Sequence, residues 1–187
     1  MKNYFDYQVP MMTPEPAIVY NIDMDGVLAV FEKENSIEDT FVEGYFATRK
    51  PENVMIEAVK MMINAGKNIN ILSSAYDNGK AVPEKAGWLD EHLGKEGYGR
   101  TFVPYGEDKT SYMPHGKVNV LVDDFSKNLH SWIRTAFEGE TNVAFKFYNG
   151  INGTKGTWTS YAITNRMTAE EIYNEITAIS EKIAENK

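Results

Sequence analysis

Two carboxylates separated by one residue, Asp23 and Asp25, are the first candidates for chemistry in the chain, in the run Ile22-Asp23-Met24-Asp25-Gly26-Val27. A turn helped by Gly26 can bring both toward one ligand. A carboxylate nucleophile splits phosphate ester hydrolysis into transfer to Asp and then hydrolysis of the acyl phosphate. A second carboxyl group can protonate the leaving oxygen and later take a proton from water. A second acidic pair, Asp123-Asp124, supplies the hard oxygen donors that magnesium prefers. Three or four carboxylates facing a phosphate would repel it, and a divalent cation resolves that conflict. Between the pairs, Ser73 offers a hydroxyl and strand-end amides to phosphate oxygens, and Lys109 offers a compact positive charge. Lys117, nearer to Asp123, competes with Lys109 for that role.

Each of these groups sits where an element ends. The run Ala17 to Ile22 is apolar and β-branched, a buried strand that breaks at Asp23. Residues 68–72 run apolar into Ser73-Ser74, and Val118 to Val122 form a strand ending in Asp123-Asp124. Thr101 to Val103 and Asn142 to Phe147 complete the expected strands. Pro51 at a first helical position opens a helix whose stripe is Val54, Met55, Ala58, Val59, Met62 and Ile63, closed by Gly66. Further helices are expected at 83–93, capped by Gly94, and at about 126–137. In the last helix Thr168 and Glu171 form a capping box, and Ile172, Ile176, Ile179 and Ile183 recur at helical spacing. Strands alternating with amphipathic helices predict an α/β fold, a mainly parallel sheet with helices on both faces. Ligands then gather at the carboxyl ends of the strands, where Asp23, Ser73 and Asp123 all fall. An irregular arm is expected at 1–16, and a small cap insertion at about 32–50, within a single domain spanning 1–187.

Composition excludes several classes. With 187 residues, 42% hydrophobic and 25% charged, the chain has the makings of one well-buried core. A formal net charge of -8 argues against a surface built for a nucleic-acid polymer. A small anionic substrate stays compatible, because a local pocket and a metal can hold it. The absence of cysteine removes disulfides, thiol catalysis and Cys-ligated zinc. No segment approaches the roughly 20 apolar residues of a membrane helix, so a cytoplasmic protein without membrane partners is expected. A homodimer is compatible with the sequence.

An Asp-x-Asp-Gly alone also occurs as a surface turn or calcium loop. The ordered set of Asp23-Met24-Asp25-Gly26, Ser73, Lys109 and Asp123-Asp124 resembles the four motifs of the haloacid dehalogenase-like superfamily. The resemblance implies a Rossmann-like three-layer sandwich, with Asp23 as nucleophile and Asp25 as acid and base. It also implies Mg2+ held by the Asp23 side chain, the Asp25 backbone carbonyl and Asp124, with Asp123 in support. An Asp at position 25 favours a phosphatase over a dehalogenase in that family.

Further stretches, Val27 to Phe31, Glu43 to Phe46, Glu84 to Leu89 and Leu121 to Asn128, are similar to the 5'(3')-deoxyribonucleotidase branch. That similarity implies a nucleoside monophosphate substrate with aromatic residues beside the base. Phe31, Tyr45, Phe46 and Tyr76 are the candidates, because an aromatic face accepts any nucleobase, and Ser74 joins them at the strand tip. Trp88 shares helical spacing with Leu89 and Leu93, which suits core packing. The short insertion after the first motif, and the lack of a proline in Tyr76-Asp77-Asn78, depart from that branch.

Overall fold

The computed structural model describes residues 17–32, 38–152 and 156–186. The N-terminal arm at 1–16, residues 33–37 of the cap, residues 153–155 and residue 187 lie outside the described residues. Six strands form one all-parallel sheet: β1 (Ile18–Ile22), β2 (Ile69–Ala75), β3 (Gly99–Pro104), β4 (Val118–Asp123), β5 (Thr141–Tyr148) and β6 (Ala162–Thr164). Their order across the sheet is β3-β2-β1-β4-β5-β6. Strands of this type need crossover connections, and α1 (Asn53–Asn64), α2 (Ala81–Leu93) and α3 (Ser126–Arg134) supply three of them; α4 (Ala169–Glu185) closes the chain. The result is the expected Rossmann-like α/β sandwich.

The strands are apolar on both sides because both faces are covered. Tyr20, Ile22, Val120 and Val122 share one cluster with Met55, Val59 and Met62 of α1, Trp88 and Leu89 of α2 and Ile172 and Ile176 of α4. On the opposite face Leu72, Val103, Leu121 and Ala144 meet Leu129 and Trp132 of α3. Each such side chain withdrawn from water stabilises the fold by about 1.5–3 kcal/mol. The capping box of α4 forms as expected, with Glu171 N donating to Thr168 Oγ1 and Thr168 N donating to Glu171 Oε2. Among the described residues no helix is long and apolar enough to cross a membrane.

Several elements differ from the sequence expectation. Pro51 does not open α1; it pairs with Ala29 in an isolated bridge, held by Val30 N donating to Lys50 O and Glu52 N donating to Leu28 O, and the helix starts at Asn53. Those two bonds tie the end of the cap to the loop after β1. Helix α2 begins two residues before Pro83, because a proline in the first turn gives up no helical hydrogen bond. Its free amides at Lys80 and Ala81 donate to Asn78 Oδ1. Helix α3 stops at Arg134, and Phe137 instead meets the His115 ring edge-on. Strand β6 is three residues long, too short for alternation to mark it in the sequence.

Candidate active site

The register of β1 and β4 builds the site. Ile18 faces Val118 and Ile22 faces Val122, so the residues that follow, Asp23 and Asp123, come out side by side. Asp23 N donates to Val122 O at 2.9 Å, extending the ladder by one rung. Between β1 and β4 the strand order reverses, the crevice where parallel sheets collect ligands. After Asp23 the chain turns tightly, with the amides of Leu28 and Ala29 donating to Met24 O at 2.9 and 2.8 Å. Gly26 makes the turn with φ +78°, and a Cβ there would lie 2.4 Å from Asp124 Oδ2. The turn therefore presses its backbone directly against the second acidic pair.

Asp23, Asp123 and Asp124 each present a carboxylate oxygen, and these oxygens lie within 4.8 Å of one another. Lys109 joins them: its ammonium sits 2.8 Å from Asp23 Oδ2 and 2.7 Å from Asp123 Oδ2. The lysine is aimed by a short 3-10 turn, Lys109–Ser111, which Asp108 caps by accepting from Thr110 N and Thr110 Oγ1 at 3.0 and 2.8 Å. Lys117, the competing lysine, is exposed at the opposite end of β4. Asp123 is fully committed to neighbours, accepting also from Phe125 N and Asn128 Nδ2. Asn149 Nδ2 bridges the two acidic loops, donating to Gly26 O at 2.9 Å and Asp124 Oδ2 at 3.1 Å. Lys146 Nζ fixes the chain just beyond, donating to Asp124 O and Ser126 Oγ.

Packing several carboxylates into a dry place raises their affinity for a positive partner. Burial pushes the Asp23 carboxyl up to about 8; Lys109 opposes the rise, and Asp123 and Asp25 add to it. Burial likewise lifts Asp124 to about 7, with Asp123 adding and Asn149, Lys109 and Lys146 opposing. For Lys109 burial acts downward, but Asp123 and Asp23 outweigh it and hold the ammonium above its usual range. One lysine does not balance three carboxylates. An all-oxygen donor set with this residual charge, cradled by a glycine, fits a hard divalent cation.

The Asp25 side chain turns away from that cluster, toward Lys85. The Lys85 side chain is 0% exposed, and its ammonium meets the Asp25 carboxylate, Ser73 Oγ at 3.0 Å and Ser74 O at 2.7 Å. Ser73 is thus buried as a partner of Lys85, while Ser74 lines the neighbouring cavity. Strand β2 runs on through both serines to Ala75, three residues past the apolar run that marks it in the sequence.

That cavity, about 240 Å³, opens beside Asp25 and Gly26. Its wall contains all four aromatic candidates, Phe31, Tyr45, Phe46 and Tyr76, and adds Tyr105 and Arg49. Tyr45 and Phe46 are nearly buried, with Arg49 over the first ring and Lys85 over the second. The more open faces are Phe31 and Tyr105, the latter 4.3 Å from Tyr76 ring to ring. Trp88 packs in the core, as its spacing suggests, and donates from Nε1 to Arg49 O. A larger depression, about 420 Å³, along 39–49 of the cap touches none of the acidic cluster.

Sequence reading misses Lys85, Tyr105, Lys146 and Asn149. For Lys85 a signal exists: it stands between Val82 and Leu89 on the inward stripe of α2, where a charge has no business without a partner. For Tyr105 and Asn149, both in loops, the sequence carries no signal. Comparison with protein-family models, curated proteins and solved structures finds no significant match to the chain.

Proposed function

We propose that the chain is a magnesium-dependent phosphomonoester hydrolase of the haloacid dehalogenase-like type, acting on nucleoside monophosphates through an aspartyl phosphate. The observation that carries this reading is the convergence of Asp23, Lys109, Asp123 and Asp124 at the strand switch point, with Asp25 beside them at an aromatic-walled cavity. Asp23, Asp124 and the Asp25 carbonyl would hold Mg2+, with Asp123 in support, and the ion would neutralise charge on the phosphoryl oxygens.

An Asp23 oxygen attacks phosphorus while the bond to the leaving oxygen breaks, and Asp25 gives that oxygen its proton. Water then loses a proton to Asp25 and attacks the aspartyl phosphate, so that inorganic phosphate leaves and the Asp23 carboxylate is restored. Lys109 offsets charge at Asp23 throughout, in a site where positioning and electrostatics do most of the work. Lys85 keeps Asp25 facing the cavity into which the leaving group projects. A flat leaving group suits the wall of Phe31, Tyr76 and Tyr105.

The test is phosphate release from a panel of nucleoside monophosphates and sugar phosphates with Mg2+, for the wild-type chain and Asp23→Asn. Turnover of nucleotides that Asp23→Asn abolishes without loss of fold is expected. Equal or better turnover of sugar phosphates would remove the nucleotide assignment. A wild-type chain inactive on every phosphoester, or an Asp23→Asn variant with near-normal rates, would overturn the hydrolase itself.

A further inference from the structure

In the described part of the cap, one 3-10 turn at Glu38–Phe41 and local bonds such as Tyr45 N to Val42 O and Thr48 N to Gly44 O are the internal structure. Residues 42–48 are a bend and consecutive turns, with Gly44 at φ +83°, so their amides have no strand ladder to join. Two of them find one side chain on α2. Gly44 N donates to Glu84 Oε1 at 2.8 Å and Phe46 N donates to Glu84 Oε2 at 3.1 Å. A carboxylate that accepts one amide on each oxygen forms a bidentate, charge-assisted clamp. One turn further along α2, Trp88 Nε1 donates to Arg49 O at 2.7 Å, tying down the other end of the same segment. Lys80 also pairs with Glu43, but at the exposed surface, where such a pair contributes little.

The segment held in this way supplies part of the cavity wall. Tyr45, Phe46 and Arg49 all line it, and the residue after Glu84 is Lys85, whose ammonium lies 4.5 Å from the centre of the Phe46 ring and holds Asp25. Adjacent residues of one helix thus face two tasks: Lys85 fixes the carboxyl that exchanges the proton, and Glu84 fixes the wall that meets the leaving group.

We propose that Glu84 is a positioning residue that sets the cap against the leaving group, acting through the Gly44 and Phe46 amides. Its kinetic consequence rests on the phosphatase reading; the clamp itself does not. Removing the carboxylate frees segment 44–46 and leaves the acidic cluster, Lys85 and the serines where they are. Binding of a bulky leaving group then suffers, while phosphoryl transfer from a small donor does not.

Two measurements on Glu84→Ala and on Glu84→Gln test this. Glu84→Gln keeps the volume but turns one of the two acceptor oxygens into a donor. Amide hydrogen exchange, read without substrate, is expected to speed up about tenfold or more at Gly44 and Phe46 in Glu84→Ala, with β1 and β4 unchanged, and less in Glu84→Gln. Unchanged exchange at both amides would overturn the clamp. In kinetics, KM for a nucleoside monophosphate is expected to rise about tenfold in Glu84→Ala, with kcat/KM for acetyl phosphate, a small activated donor, held within about threefold. An equal fall for both substrates, or no fall for either, would overturn the positioning role. Should the wild-type chain hydrolyse nothing, the phosphatase reading fails, and the exchange result still decides the clamp.

Discussion

Gly26→Ala separates two costs that usually arrive together. The residue sits at φ +78°, where an L side chain costs about 1–2 kcal/mol through its contact with the following carbonyl. In a chain of this size that lowers Tm by roughly 2–8 °C. The second cost is local. The new Cβ would lie 2.4 Å from Asp124 Oδ2, 2.6 Å from its Cγ and 2.9 Å from Oδ1, so the whole carboxylate must move by about 1 Å to reach ordinary contact. Metal ligation tolerates shifts of only about 0.2 Å, so this displacement removes Asp124 from the cation's reach. Gly139→Ala is the control, because Gly139 has φ +84° with nothing within 4 Å of its would-be Cβ. In the absence of magnesium Gly139→Ala should show the backbone cost alone, and Gly26→Ala that cost plus the cost of displacing the Asp124 carboxylate. Calorimetric titration with Mg2+ should show affinity lost at least about tenfold in Gly26→Ala and unchanged in Gly139→Ala. Folded Gly26→Ala that binds Mg2+ like wild type would refute the placement of the cation against Asp124.

The raised carboxyls give pH dependence a definite sign. Protons on Asp23 and Asp124 compete with the cation, so Mg2+ affinity should climb between pH 6 and about 9 as groups near 7 and 8 ionise, and titrations showing a flat profile would contradict this. Since both carboxyls are lifted above their unfolded value of 3.8, their contribution to stability is fully present below about pH 4 and is lost as pH rises through 7 and 8. Melts in chelator should therefore fall from pH 6 to 9 and recover with Mg2+; a rising curve in chelator would count against the burial argument. Lys85→Met, similar in length but uncharged, is expected to lower kcat about 100-fold with KM within a few-fold, as steady-state kinetics would show; a KM effect alone would mean that Lys85 serves only the wall. Tyr105→Ala should raise KM for a nucleoside monophosphate about tenfold at similar kcat, and no change would exclude that ring from the leaving-group face.

How much of this was legible depends on how each residue is held. Asp23, Asp123 and Ser73 stand at or near strand ends, and a buried parallel strand announces itself as a short β-branched run. The site's backbone layout could therefore be read directly. Lys109 could be proposed but not separated from Lys117, because only the fold reveals that one follows β3 at the carboxyl end of the sheet and the other precedes β4 at the far end. The split between Asp23 and Asp25 was also hidden. Strand alternation puts positions i and i+2 on one side, and the partner that draws Asp25 aside, Lys85, lies 60 residues away on a helix. Its signal was a charge on an apolar stripe, which is informative only once one asks what such a charge is paired with.

The same distinction separates chemistry from specificity in this chain. The acidic cluster is set by the register of two hydrogen-bonded central strands, β1 and β4, and shifting it would cost the whole ladder and the core packed on it. The wall of the aromatic cavity, which the proposed reading gives to the leaving group, is set by side chains reaching from α2 and from the loop after β3 to a cap of short turns, so substitutions at Glu84 or Tyr105 can move it without touching the sheet. Substitutions at Glu84 or Tyr105 should therefore change which phosphoester is accepted, whereas substitutions at Gly26 or Lys109 should change whether any is. That asymmetry follows from where the restraining hydrogen bonds lie: rungs of the sheet in one case, and a few side-chain contacts in the other.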